Sequence, residues 1–329
     1  MRLRTAAAAL LMALGLLPVT VGQAAAAGRD IRGTFANQAG LVEYQVHLPP
    51  RYRPDVPMPV LLAIHGCRMT GYTFNSMQDT SRFSQIADRE GFIVVYPSQS
   101  PLRNLLGCWN FQAPGNQVRG QGEPSLLTGM VNKVVHEFDA DRKRVHVIGA
   151  SSGAAMTSIL AVTYPDVFAS AAIFAGCEYA CDKVLTAGPE NISPVTTARQ
   201  AYAQMGSRAR QVPVSVIQGD ADATVPPLFA ARLVTHFAAL DDLVADGTLD
   251  GDVDDVPETS ARVVDDGDRP YVKTTYSARG GGAPLIEKYL IEGLGHKWPK
   301  GGKADFVDPL GPDISSLVWK DFFATHALP

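Results

Sequence analysis

The sequence has no run of lysines or arginines longer than the three residues Arg142-Lys143-Arg144, and its 29 basic residues are outnumbered by 33 acidic ones. It therefore offers no cationic stripe for nucleic acid or anionic lipid, and neither is expected as a partner. It contains no Cys-x-x-Cys and no close pair of histidines, the spacings that hold a structural zinc, so no metal site is expected. There is no internal repeat. No cysteine precedes Cys67, which excludes a lipid-modified cysteine near the start.

What is present at the start is Met-Arg-Leu-Arg, an apolar stretch from Ala6 to Val21, and four alanines, Ala24 to Ala27, before Gly28. A basic beginning, a short apolar middle and small residues at the end describe a signal peptide over residues 1–27. The remaining chain, 28–329, is long enough to bury one large core and is expected to form a single catalytic domain. Export to an oxidising, extracellular compartment lets disulfides persist. Cys67, Cys108, Cys177 and Cys181 allow three pairings. Cys67 with Cys108 and Cys177 with Cys181 is favoured, because the second pair is close in sequence and the first clips two loops of functional interest.

Alternation of apolar and polar residues from Leu41 to Leu48 predicts a half-exposed strand. Beyond it, short continuous apolar runs at Val60–Ile64, Phe92–Tyr96, Val145–Ile148 and Val214–Ile217 suit strands buried on both faces. Helical spacing separates or follows them at 81–90, 124–138, 152–163, 226–240 and 314–325. Such alternation predicts a mainly parallel central sheet with helices on both faces, a three-layer α/β sandwich. Ligands then sit beyond the carboxyl ends of the strands. Residues 97–123 read as a long functional loop, and the aspartate-rich stretch 241–268 as a solvated surface excursion. Within the latter, Asp250-Gly251-Asp252-Val253-Asp254 hints at a calcium loop. Asp255 at the sixth position and Ala261 at the twelfth fail that pattern, so an acidic loop without metal is expected.

Gly149-Ala150-Ser151-Ser152-Gly153 joins the run ending at Ile148 to the helix beginning at Ser152. Gly-x-Ser-x-Gly at a strand-turn-helix junction is a nucleophile elbow, which lifts the Ser151 hydroxyl above the sheet. A serine needs a base, and the base needs a carboxylate to hold its tautomer. In that chain order the acid and then the histidine follow the serine. His236 falls within a helix and reads as a surface residue, while His326 lies at the end of the last helix. His296 remains, in Gly293-Leu294-Gly295-His296-Lys297-Trp298-Pro299 after the strand at 285–291. The acid belongs after the Val214 strand, where Asp220 and Asp222 are both available, and Asp220 has the alternative job of fixing its turn. The oxyanion amides are expected from Ser152 and, in the loop His65-Gly66-Cys67-Arg68, from Cys67. His65 itself reads as a loop-stabilising residue.

These segments, with Gly91–Pro97, Cys108-Trp109-Asn110-Phe111, Arg119–Pro124 and Tyr164-Pro165-Asp166, resemble the poly(3-hydroxybutyrate) depolymerase-like esterases, a family that shades into feruloyl and acetylxylan esterases. The resemblance implies an α/β-hydrolase fold and a triad of Ser151, Asp222 and His296, which decides between the two aspartates. It places Trp109 and Trp298 near the cleft, against the alternative that both are core aromatics. The expected protein is a secreted, monomeric serine esterase that needs no cofactor and is free of the membrane once the leader is removed. Its expected substrates are poly- or oligo(3-hydroxybutyrate)-type polyesters, with feruloyl or acetyl esters of plant polysaccharide as the alternative. From another class, the rival is a non-catalytic polysaccharide-binding protein on the same fold.

Overall fold

A computed structural model describes residues 28–329; the expected signal peptide lies outside the described residues. In chain order the elements are β1 (Arg29–Asn37), β2 (Gly40–Leu48), β3 (Val60–Ile64), α1 (Met77–Ser81), α2 (Phe83–Glu90), β4 (Ile93–Ser98), α3 (Gly122–Glu137), β5 (Val145–Ala150), α4 (Ser152–Thr163), β6 (Ser170–Phe174), α5 (Cys181–Ala187), α6 (Pro194–Met205), β7 (Val214–Gly219), α7 (Leu228–Asp246), β8 (Thr259–Val263), β9 (Tyr271–Tyr276), β10 (Ile286–Ile291) and α8 (Ile314–Leu317). The ten strands form one sheet in the order β1-β2-β4-β3-β5-β6-β7-β10-β9-β8. From β4 to β10 neighbours run parallel, while β1, β2, β8 and β9 pair antiparallel.

Alternation along β3 shows the three layers. Val60, Leu62 and Ile64 join a core with residues of α3, α4, α6 and α7. Leu61 and Ala63 join the opposite core, with α2 and the final helical segment. Every side chain of β3, β5, β6 and β7 is buried. That is why the runs in β3, β5 and β7 are apolar without alternation.

Two expectations require correction. The excursion 241–268 is not wholly solvated: α7 continues through Asp246, with Asp241 and Asp242 buried beside Leu240 and Leu243. The Asp242 carboxylate accepts the Gly251 and Val253 amides, folding the acidic loop back on the helix, and residues 259–263 then add the edge strand β8. His236 is not on the surface either. It is fully buried, with Nδ1 2.9 Å from Thr197 Oγ1 across the α6–α7 contact, and burial holds it down at about 3.

Candidate active site

Ser151 sits between β5 and α4 with φ of 55°, a left-handed value that is costly for a residue with a side chain and marks a tight elbow. The two flanking glycines are steric requirements. A Cβ on Gly149 would lie 2.1 Å from the Gly153 carbonyl oxygen, and one on Gly153 would lie 2.5 Å from the Ile64 and His65 carbonyl oxygens. The Ser151 amide donates to the Phe174 carbonyl, so the turn is fixed to the end of β6.

After β7, Asp222 is buried and its carboxylate is fully engaged. Oδ1 accepts the Thr224 and Val225 amides at 2.8 and 2.9 Å, while Oδ2 lies 2.7 Å from His296 Nδ1 and 3.3 Å from Gln218 Nε2. Asp220 does something else: its Oδ1 accepts the Gly293 amide at 2.6 Å and ties the turn after β7 to the histidine loop. The main chain adds a second tie, from the Ala221 amide to the Leu294 carbonyl. His296 is part-exposed, and it lines a cavity of about 280 Å³ together with Ser151, Gly66, Cys67 and Trp298. Among the described residues no hydrogen bond yet joins Ser151 to His296; such contacts commonly tighten only when substrate is bound.

The Cys67 and Ser152 amides have no hydrogen-bond acceptor among the described residues. Behind Cys67, His65 is fully buried. Its Nδ1–H donates to the Gly66 carbonyl at 2.7 Å and its Nε2 accepts the Gln99 amide at 3.0 Å. Burial lowers this imidazole to about 4, so it stays neutral and holds one orientation. The carbonyl it grips belongs to the peptide whose N–H is that of Cys67, and the two point in opposite directions across a trans peptide.

The structure pairs Cys67 with Cys108 and Cys177 with Cys181. Trp298 lines the cavity of Ser151 and His296, with its indole N–H donating to Ser315. Trp109 is buried one layer away, tilted against His65, and its backbone amide donates to Ser152 Oγ at 3.3 Å. It lines a neighbouring cavity with Cys67, Cys108 and Phe111.

Sequence reasoning did not single out Glu123 and Gln99. Glu123 is buried and accepts from Gln99 Nε2, the Asn110 amide and Asn110 Nδ2 at 2.6–2.7 Å, fastening the Cys108–Asn110 segment to α3. Nor did it find a second cavity on the far side of Ser151, about 170 Å³ in volume. Phe111, Leu185, Val225, Phe229 and the Cys177–Cys181 disulfide form its walls. The acidic carboxylates of Asp246, Asp250 and Asp252 do converge, although Asp254 of the suspected run is not among them.

A serine on a strand-helix elbow at the end of a mainly parallel sheet, with a histidine and a buried aspartate from later loops, defines an α/β-hydrolase. Residues 42–256 match the family model described as Esterase PHB depolymerase, and the chain belongs to that family, as its motifs imply. It is 33% identical over 274 residues to poly(3-hydroxyalkanoate) depolymerase C of Paucimonas lemoignei, covering 80% of this chain and 60% of that protein. Feruloyl esterase B of Neurospora crassa is 38% identical over 123 residues, 37% of this chain and 40% of its own. The chain thus spans about 60% of the length of the first relative and less than half of the second. Among solved structures, an acetyl xylan esterase from Aspergillus awamori superposes with a TM-score of 0.62 at 24% identity, over 78% of this chain and 89% of that one, and shares the fold.

Proposed function

We propose that this chain is an exported serine esterase that hydrolyses carboxylic esters through an acyl-enzyme, with polyesters or oligoesters of the 3-hydroxybutyrate type as its substrates. The reading is carried by the 2.7 Å pairing of the buried Asp222 with His296, which lines the same cavity as Ser151. Asp222 holds the proton on Nδ1, leaving Nε2 free to accept the Ser151 proton as Oγ attacks the ester carbonyl. The Cys67 and Ser152 amides bind the oxyanion. His296 then passes the proton to the departing alcohol, and water releases the acid by the same steps in reverse. None of these steps calls for a cofactor.

The polyester assignment follows the relative that matches across most of the chain, a depolymerase. Acylated polysaccharide is the second reading, favoured by the feruloyl and acetylxylan esterases that match over a shorter stretch. Two disulfides fit an extracellular setting, and among the described residues no helix is long and apolar enough to cross a membrane. A fluorophosphonate probe is expected to label the wild type and not Ser151→Ala; absence of labelling in both would leave the binding-protein reading standing. Initial rates on hydroxybutyrate oligomers, feruloyl esters and acetylated xylan then rank the substrates, and inactivity on the first with turnover of the others would overturn the polyester assignment.

A further inference from the structure

The two cavities that meet at Ser151 differ in a way that gives each half of an ester its place. His296 lines the larger and not the smaller. Because the histidine must hand its proton to the departing oxygen, the alcohol half lies on the His296 side and the acyl half in the smaller cavity. The acyl side is walled by aliphatic, aromatic and disulfide groups, with no charged side chain among its lining residues. It suits a short aliphatic acyl unit. The alcohol side is different: Arg68 and Lys297 both line it, and no carboxylate does.

Both cations are exposed and have no ion-pair partner among the described residues. Arg68 adopts φ of 62°, and its amide is held by the Leu106 carbonyl at 2.7 Å beside the tethered Cys67. A left-handed backbone under a long side chain is a strained choice that recurs at ligand clamps. Lys297 directly follows His296. The cavity therefore presents two positive charges just beyond the position of the leaving oxygen.

Resting on the ester-hydrolase reading, we propose that Arg68 and Lys297 recognise a free carboxylate on the alcohol half of the substrate. The ester chemistry that meets both cavities is a hydroxyacid oligomer cut at its carboxyl-terminal bond. There the alcohol half is a 3-hydroxy acid, whose carboxylate is one methylene beyond the carbinol carbon. Neither a sugar hydroxyl, as in acylated polysaccharide, nor an internal polyester unit supplies that charge. In the reaction the acyl carbon–oxygen bond breaks, the alkoxide takes the serine-derived proton from His296, and the hydroxy acid departs with its carboxylate unchanged. Water then converts the acyl-enzyme to the second acid.

The test compares the linear 3-hydroxybutyrate dimer as its free acid with the methyl ester of the same dimer. It uses wild type, Arg68→Gln, Lys297→Gln and the double variant, and reads the ratio of kcat/KM for acid over methyl ester. Wild type is expected to favour the acid by about tenfold, the product of two solvent-exposed ion pairs. The double variant should bring the ratio near one, and added salt should erode it in wild type. A wild-type ratio of one or less, or a ratio that survives the double substitution, would overturn the assignment while leaving the esterase reading intact. Failure of wild type to hydrolyse either compound above the Ser151→Ala blank would overturn this assignment together with the polyester reading, and absence of fluorophosphonate labelling as well would overturn the esterase reading.

Discussion

The middle of the sheet and its two margins obey different rules. In the middle, β3, β5, β6 and β7 are covered on both faces, and the catalytic candidates stand on loops that leave the carboxyl ends of parallel strands: Ser151 after β5, Asp222 after β7 and His296 after the neighbouring, partly covered β10. At the margins, β1 has no fully buried side chain and β8 only one that is even partly covered. An outer strand is held by its ladder and a few polar contacts, such as Arg262 with Glu292. Burial on two faces makes the interior intolerant of change; exposure on one makes the rim permissive.

The contrast is tested most severely at the elbow. Ser151→Ala should reduce kcat by about 10⁶-fold with the melting temperature of the wild type retained, measured by ester hydrolysis and calorimetry on the same preparation. Asp222→Asn should cost about 10⁴-fold, because the wrong imidazole tautomer is then favoured. Asp220→Asn, which still accepts the Gly293 amide, should cost far less; equal losses would show that the two aspartates are not divided as the hydrogen bonds indicate.

Stability should follow the same gradient. Ile148→Ala, in fully buried β5, is expected to destabilise by about 2–5 kcal/mol in urea titration. Arg262→Ala on β8 should leave the midpoint where it was. A comparable shift in both would erase the distinction between middle and margin.

Acid provides a gentler probe of the interior. Burial lowers His65 to about 4 and both His146 and His236 to about 3. An unfolded chain takes up protons on these rings below about pH 6.5, whereas the folded one refuses them until lower pH. Stability contributed by their neutral state is therefore complete above about 6.5 and is lost as pH falls through the window that ends at about 4 for His65 and at about 3 for His146 and His236. Each ring contributes at most about 1.4 kcal/mol per pH unit. Asp241, raised well above the usual carboxylate range by burial, works in the opposite sense, since the folded state keeps a proton there that the unfolded chain gives up. Calorimetry between pH 7 and 5 should show a falling midpoint, and a flat profile would contradict this balance.

The same gradient determined what could be read from the chain alone. Continuous apolar runs announced β3, β4, β5 and β7, because two-sided burial writes them directly. Ser170–Phe174, equally buried, is small and alanine-rich and carries no such signal. Nor did β1, β8 and β9, where register in the ladder decides the strand more than composition does. His236 was misplaced because Arg232 and Thr235 lend its turn a polar look, while Arg232 is itself buried against Glu178 at 2.9 Å. Ser151 and His296 were legible as candidates from motif and chain order, whereas Asp220 and Asp222 were both open until the family resemblance favoured Asp222. The walls of the two cavities were not legible, since Phe111, Leu185, Phe229 and Phe306 come from loops and helices far apart in sequence and share no pattern.

Cys67 has two obligations at one position. Its nitrogen is one of the two oxyanion donors proposed above, and its sulfur is committed to Cys108, the neighbour of Trp109. Short of proline, no exchange of side chain deletes an amide N–H, but its anchorage can be loosened by a reductant. Thiol chemistry, rather than mutagenesis, is thus the natural dial for this donor. It would act on the transition state while leaving the nucleophile, base and acid chemically untouched.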